Sequence, residues 1–69
     1  MLSGLEIRAA RLALGLTQGQ AARLWRVRRR TWERWEAEEA IIPGPAELLL
    51  RACIVFHPLL EWLREQEEE

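Results

Sequence analysis

The chain has 69 residues, of which 49% are hydrophobic and 30% charged, and its formal net charge is −1. This length predicts one folded domain, residues 1–69, with a core that is small for its surface, because such chains bury only about 60% of their unfolded surface. With one serine, one histidine, one cysteine and no aspartate or tyrosine, the chain offers no acid–base pair, no activated nucleophile and no set of metal ligands. We therefore expect no enzymatic activity, no cofactor, no metal site and no disulfide.

The charges divide unevenly between the two halves of the chain. Residues 1–34 hold eight arginines and two glutamates, a balance of +6, whereas residues 35–69 hold two arginines and nine glutamates, a balance of −7. A basic half joined to an acidic half is typical of a nucleic-acid-binding face on an oppositely charged body. The longest apolar run, residues 52–56, is too short to span a membrane, and charges interrupt the apolar N-terminal segment, so we expect a cytoplasmic protein.

Two capping signals predict the first two helices. Ser3 and Glu6 form an SxxE capping box that opens helix 1, which Gly15 closes. Thr17 and Gln20 repeat the signal as TxxQ, so a second helix begins directly after the first ends.

The stretch RVRRRTWERWE, residues 26–36, predicts a third helix with two distinct sides. Trp32 and Trp35 define the buried side, and Arg30 and Arg34 then point outward, with Arg29 near the helix start. Tryptophans at this spacing favour core packing, although a stacking platform for single-stranded nucleic acid is the alternative.

The last third of the chain predicts two more helices and no strand. Pro45 suits the first position of a fourth helix that continues to residue 56, and His57 and Pro58 mark the boundary before a fifth helix, residues 59–66. The glutamates at the C-terminal end are expected to fray, because they lie at the unfavourable end of the helix dipole. The predicted fold is an all-α, compact bundle of five short helices.

Helices 4 and 5, residues 43–66, carry more apolar side chains than a monomer of this size is expected to bury. We therefore expect them to contribute to a homodimer interface, the alternative being that they complete the core of a monomer. The expected interface residues are Phe56, Leu59, Leu60, Trp62 and Leu63.

Residues 7–36, IRAARLALGLTQGQAARLWRVRRRTWERWE, resemble the Cro/CI-type (Xre-like) helix-turn-helix family. The GLTQ step, the apolar positions that follow it and the closing WE at residues 35–36 carry the resemblance, and PGPAELLLRA, residues 43–52, is similar to the family's fourth helix. The resemblance implies a lambda-repressor-like DNA-binding domain in which helices 2 and 3 form the helix-turn-helix.

The resemblance also implies roles for individual residues. It assigns the structural ion pair between helix 1 and helix 3 to Arg11 and Glu36. The DNA bases are then contacted from helix 3, by Arg29, Arg30, Glu33 and Arg34. The resemblance implies phosphate contacts by Gln18 and Arg28, and we expect further phosphate contacts from Thr17, Arg23 and Arg26.

Two positions depart from the family pattern. Arg26 stands in the turn where the family has glycine, and a left-handed backbone there costs roughly 1–2 kcal/mol for a residue with a side chain. Arg28 replaces the usual serine or threonine cap of the third helix, a loss of about 1 kcal/mol.

The expected function is that of a sequence-specific transcriptional repressor, a homodimer on an inverted-repeat site in double-stranded DNA. The sequence looks most similar to small phage and mobile-element autorepressors, of the anti-CRISPR-associated or antitoxin type, which regulate their own operon. One alternative is an antitoxin-like module that binds and neutralises a partner protein such as a toxin. Another is RNA binding through the same arginines.

Overall fold

The computed structural model describes residues 1–67 and contains five helices. They are α1 (Gly4–Ala13), α2 (Gln18–Leu24), α3 (Arg29–Glu36), α4 (Gly44–Val55) and α5 (Pro58–Glu67). No strand occurs in residues 1–67, so the predicted all-α class and the number of helices are confirmed. Helix α5 continues through Glu67; the predicted fraying of the final residues, Glu68 and Glu69, concerns positions outside the described part of the chain.

Helices α1 and α2 begin where the capping signals predict. The Ser3 hydroxyl accepts from the Glu6 amide at 3.2 Å, while the Glu6 carboxylate accepts from the Ser3 amide at 2.8 Å. Thr17 and Gln20 make the same reciprocal pair at 3.1 and 2.9 Å. Each pair satisfies amides that the first helical turn leaves without a backbone partner. Gly15 follows α1 with a φ of +74°, as expected of a glycine that ends a helix.

The start of α4 differs from the prediction by one residue. Pro43 is the N-cap and Gly44 the first helical residue, so Pro45 occupies the second position and not the first. Both positions lack an intrahelical amide partner, so the missing N–H of proline is tolerated at either.

The core is built around Trp25, the C-cap residue of α2, and the two tryptophans of α3. Trp32 is fully buried, and its ring packs edge-on against Trp25 at 5.3 Å between centroids and tilted against Trp35 at 5.4 Å. The predicted burial of Trp32 and Trp35 is confirmed, Trp25 is buried with them, and residues from all five helices complete the cluster. Cys53 lies in the same core, where burial raises the pKa of its thiol.

The connection between α2 and α3 contains the strained residue that the sequence predicts. Arg26 has a φ of 60°, in the left-handed region, and the Val27 amide donates to the Ala22 carbonyl at 2.9 Å. This bond and the left-handed residue turn the chain sharply enough for α3 to pack against α2. The backbone here is therefore of the kind that favours glycine.

Replacing Arg26 with glycine should stabilise the protein by about 0.5–1 kcal/mol. The substitution removes a left-handed penalty of roughly 1–2 kcal/mol, and the greater freedom of glycine in the unfolded chain offsets part of the gain. Arg30→Gly is the matched control, because Arg30 is also an exposed arginine but lies inside a helix, where glycine costs about 1 kcal/mol. Urea unfolding followed by circular dichroism measures both; equal destabilisation by the two variants would contradict the strain at Arg26.

Candidate functional site

Helix α3 and its N-cap residue present four exposed arginines, Arg28, Arg29, Arg30 and Arg34, which we call the arginine face. At about 100° per residue, Arg29, Arg30 and Arg34 span roughly 140° of the helix circumference. The two buried tryptophans of α3 lie on the opposite side. The predicted division of α3 into a packing side and an outward arginine side is confirmed.

Most of the positive charge on this face is uncompensated. Within residues 1–67, the side chains of Arg28, Arg30 and Arg34 make neither an ion pair nor a hydrogen bond. Arg29 pairs with Glu33 one turn later, Nε to Oε2 at 3.0 Å, on the open surface. Exposed helical pairs of this kind contribute only about 0.3–0.5 kcal/mol, so Arg29 is easily released.

The N-terminus of α3 has no side-chain cap from the described residues. Arg28 occupies the N-cap position in an extended conformation, and its side chain makes no capping hydrogen bond. The sequence predicts this, since arginine replaces the usual serine or threonine. The positive end of the helix dipole therefore lies beside the arginine face and adds to its positive potential.

Glu36 holds the three N-terminal helices together from the other end of α3. Arg11 donates to both of its oxygens, from Nε at 2.6 Å and from Nη2 at 3.1 Å, and Trp32 donates to Oε2. Gln18 of α2 adds a hydrogen bond to Oε1 at 3.2 Å. The predicted structural ion pair between Arg11 and Glu36 is confirmed, with the side chains only 9% and 6% exposed.

The environment of Glu36 keeps its carboxylate ionised. Burial raises the pKa of Glu36, but the hydrogen bonds from Arg11, Trp32 and Gln18 and the charge of Arg11 outweigh that effect, so the pKa lies below its ordinary value. Arg11 also donates from Nη1 to the Leu16 carbonyl at 2.9 Å, which extends the network into the segment between α1 and α2. The orientation of α3 is thus fixed by a charged, fully hydrogen-bonded cluster.

Gln18 and Thr17 lie at the start of α2 with their side chains engaged. The Gln18 side-chain amide donates to Glu36, so this residue braces α3. The Thr17 hydroxyl is used as the cap of α2.

Arg23 and Arg26, which are predicted to contact phosphate, lie towards α5 and not on the arginine face, and their phosphate contacts stay a prediction. Arg23 Nε pairs with Oε1 of Glu67 in α5 at 3.1 Å. Arg26 lines a concave surface with Trp62 and Leu63 of α5. Both arginines therefore face α5, and the sequence did not predict that this helix lies beside them.

The five residues predicted for a dimer interface fall into three groups. Phe56 and Trp62 are 60% and 53% exposed, and Leu59 and Leu63 are half-buried against the core. Leu60 is a correction, because it is buried within the core of the chain itself and its side chain is not presented to a partner.

Sequence reasoning missed Arg8 of α1, which is exposed and lies beside the arginine face. It lines a concave surface with Gln18 and Glu33, and it lies one turn before the buried Arg11. Because residues three apart on a helix share a side, the predicted Arg11–Glu36 pair could have indicated that Arg8 also points towards α3.

Comparisons with protein-family models, with curated proteins and with solved structures yield no match. The resemblance to the Cro/CI type therefore stays a prediction. In residues 1–67 no helix combines the length and apolar character that a bilayer crossing requires.

Proposed function

We propose that this protein is a sequence-specific, double-stranded-DNA-binding repressor of the Cro/CI type, with α2 and α3 as its helix-turn-helix. The observation that carries the proposal is the arginine face of α3, held outward by tryptophans buried on the opposite side of the same helix. An α-helix fits the major groove of B-DNA, and side chains on its outer side then reach the base edges.

The chemistry of arginine suits both tasks that such a helix performs. A guanidinium donates two parallel hydrogen bonds to O6 and N7 of guanine, and it also binds phosphate strongly. In the proposal Arg30 and Arg34 contact bases, and Arg28 contacts phosphate. Arg29 also contacts a base once its weak ion pair with Glu33 has broken. The bound half-site is accordingly expected to contain guanines.

The hydrogen-bonded cluster at Glu36 supports the proposal because it pre-organises the arginine face. Arg11 of α1, Gln18 of α2 and Trp32 of α3 all converge on this carboxylate. A reading helix whose orientation is set before binding loses little further freedom when it enters the groove.

The proposal includes a homodimer that covers promoter DNA of its own operon. Two copies would place their α3 helices in successive major grooves, so the half-sites of the inverted repeat should lie about 10 bp apart. Phe56 and Trp62, the exposed members of the predicted interface, remain the candidates for its centre.

Arg34→Ala should weaken binding to the selected site about 5- to 150-fold, which corresponds to about 1–3 kcal/mol for one guanine contact. The site is first selected from a random duplex pool with the unchanged protein, and affinities are then measured by gel shift. Arg51→Ala is the matched control, an exposed arginine of α4 that is paired with Glu47. An enriched inverted repeat bound normally by Arg51→Ala and poorly by Arg34→Ala supports the proposal. No enrichment, or equal losses in both variants, contradicts it.

A second candidate function is that of an antitoxin-like module that binds a partner protein. It is favoured by exposed apolar residues in the acidic half, since Val55 and Phe56 at the end of α4 are 85% and 60% exposed. A stable complex with a co-expressed partner, unaffected by Arg34→Ala but lost in Phe56→Glu, would favour this function. RNA binding through the arginine face is distinguished by competition between structured RNA and the selected duplex.

A further inference from the structure

A shallow concave surface lies between α1 and α3, next to the arginine face, and we call it the α1 groove. It is bordered by Leu5, Arg8 and Arg11 of α1, Gln18 of α2, and Glu33, Glu36 and Ala37 of α3, with Gly4 at its end. The exposed guanidinium-bearing residue in this groove is Arg8, because Arg11 is buried in its pair with Glu36.

The charges of the α1 groove leave Arg8 as its net positive charge. Glu36 is neutralised by Arg11, Nε to Oε2 at 2.6 Å, and Glu33 is paired with Arg29 at 3.0 Å. Arg8 itself makes no ion pair and no side-chain hydrogen bond within residues 1–67. Both carboxylates in the groove already have an arginine partner, so the Arg8 charge is available to an anion from outside.

The α1 groove adjoins the arginine face along one edge of α3. Around the helix axis, Glu36 lies about 20° to one side of Arg29, and Glu33 lies about 40° to the other side, in the direction of Arg30 and Arg34. A duplex held by the arginine face would therefore pass beside α1. The part of the duplex that comes near α1 is its sugar–phosphate backbone, because the base edges lie deep in the major groove.

We propose that Arg8 binds a backbone phosphate of the same duplex, so that α1 forms a second arm of the DNA interface. This inference rests on the proposed function and adds a contact outside α2 and α3. Because α1 lies beside the backbone and not in the major groove, the Arg8 guanidinium would act as a cation on phosphate. Such a contact gives affinity and register without sequence preference.

The test measures the salt dependence of binding for Arg8→Ala against the unchanged protein. Loss of one phosphate contact makes the slope of log affinity against log salt concentration shallower by about 0.9. The ratio of the two affinities, unchanged protein over Arg8→Ala, should therefore fall about threefold between 50 and 200 mM salt. The loss at low salt should be equal on the selected duplex and on a random duplex. Arg8→Lys should restore most of the slope, and Arg51→Ala should leave it unchanged.

Three results would overturn the inference. An unchanged slope in Arg8→Ala, or a loss confined to one sequence, removes the phosphate contact and leaves the proposed function in place. If the unchanged protein binds no duplex at any salt concentration, the proposed function fails and the inference fails with it. Circular dichroism of Arg8→Ala should match the unchanged protein, since Arg8 is exposed and makes no contact that folding needs.

Discussion

Replacing Trp32 with alanine should leave much of the protein unfolded at 25 °C. Trp32 is completely buried, and it packs against two other indoles and donates a hydrogen bond to Glu36. Removing a buried tryptophan costs about 3–5 kcal/mol, and each aromatic pair adds about 0.5–1.5 kcal/mol. A chain of this length is stabilised by only about 3–10 kcal/mol in total, so the loss approaches the whole.

The control for Trp32→Ala is Trp62→Ala, which also removes one of the four tryptophans. Trp62 is 53% exposed, so its replacement should cost much less. Urea unfolding followed by circular dichroism compares the two free energies of unfolding without relying on tryptophan fluorescence. Trp32→Phe keeps a buried ring and provides a variant that stays folded. Equal losses in Trp32→Ala and Trp62→Ala would contradict the description of the core.

Glu36→Gln should destabilise the protein by about 3–5 kcal/mol, because it leaves the Arg11 guanidinium buried without its counter-ion. Both side chains are more than 90% buried and three residues donate to the carboxylate, so no water replaces what is lost. Glu33→Gln is the matched control on the same helix, because the Arg29–Glu33 pair is exposed. Its effect should stay near 0.5 kcal/mol.

The lowered pKa of Glu36 predicts how the stability of the protein depends on pH. A lowered pKa in the folded state means that the ionised group stabilises the fold above the ordinary value of 4.5, and that this contribution is lost as the pH falls through the lowered pKa. The difference in stability between the unchanged protein and Glu36→Gln should therefore be full at pH 7 and shrink below about pH 4.5. A difference that is constant from pH 7 to pH 3 would contradict this assignment.

Gln18→Ala, which removes one hydrogen bond to Glu36, is a milder variant if Glu36→Gln does not fold.

The sequence sufficed for the features that depend on local chemistry. The capping pairs at Ser3 and Thr17 predict the starts of α1 and α2 because they satisfy amides within three residues of themselves. The spacing of Trp32 and Trp35 predicts the buried side of α3 because a helix repeats every 3.6 residues. The Arg11–Glu36 pair followed from the family resemblance and not from spacing alone.

The features that the sequence did not predict depend on how α5 and α1 pack. Arg23 was assigned to phosphate, yet it pairs with Glu67, because α5 folds back beside α2. Leu60 was assigned to a dimer interface, yet it fills the core for the same reason. The Arg29–Glu33 pair was not predicted either, although its four-residue spacing on a helix indicates such a pair.

The near-neutral net charge of the chain is compatible with DNA binding because the charges are separated in space. The exposed arginines of α3 face outward, whereas Arg23 and Arg51 are paired with glutamates of α5 and α4. The proposed DNA binding would therefore depend on a local cationic surface, and we expect it to be strongly salt-dependent despite the overall charge.

Whether the arginine face binds DNA is tested by a nuclear magnetic resonance titration of the labelled protein with the selected DNA duplex. The largest changes in amide chemical shift are expected at residues 28–34, with smaller changes at Arg8 and Gln18. Changes concentrated on α4 and α5, with residues 28–34 unaffected, would contradict the claim that the arginine face of α3 binds DNA.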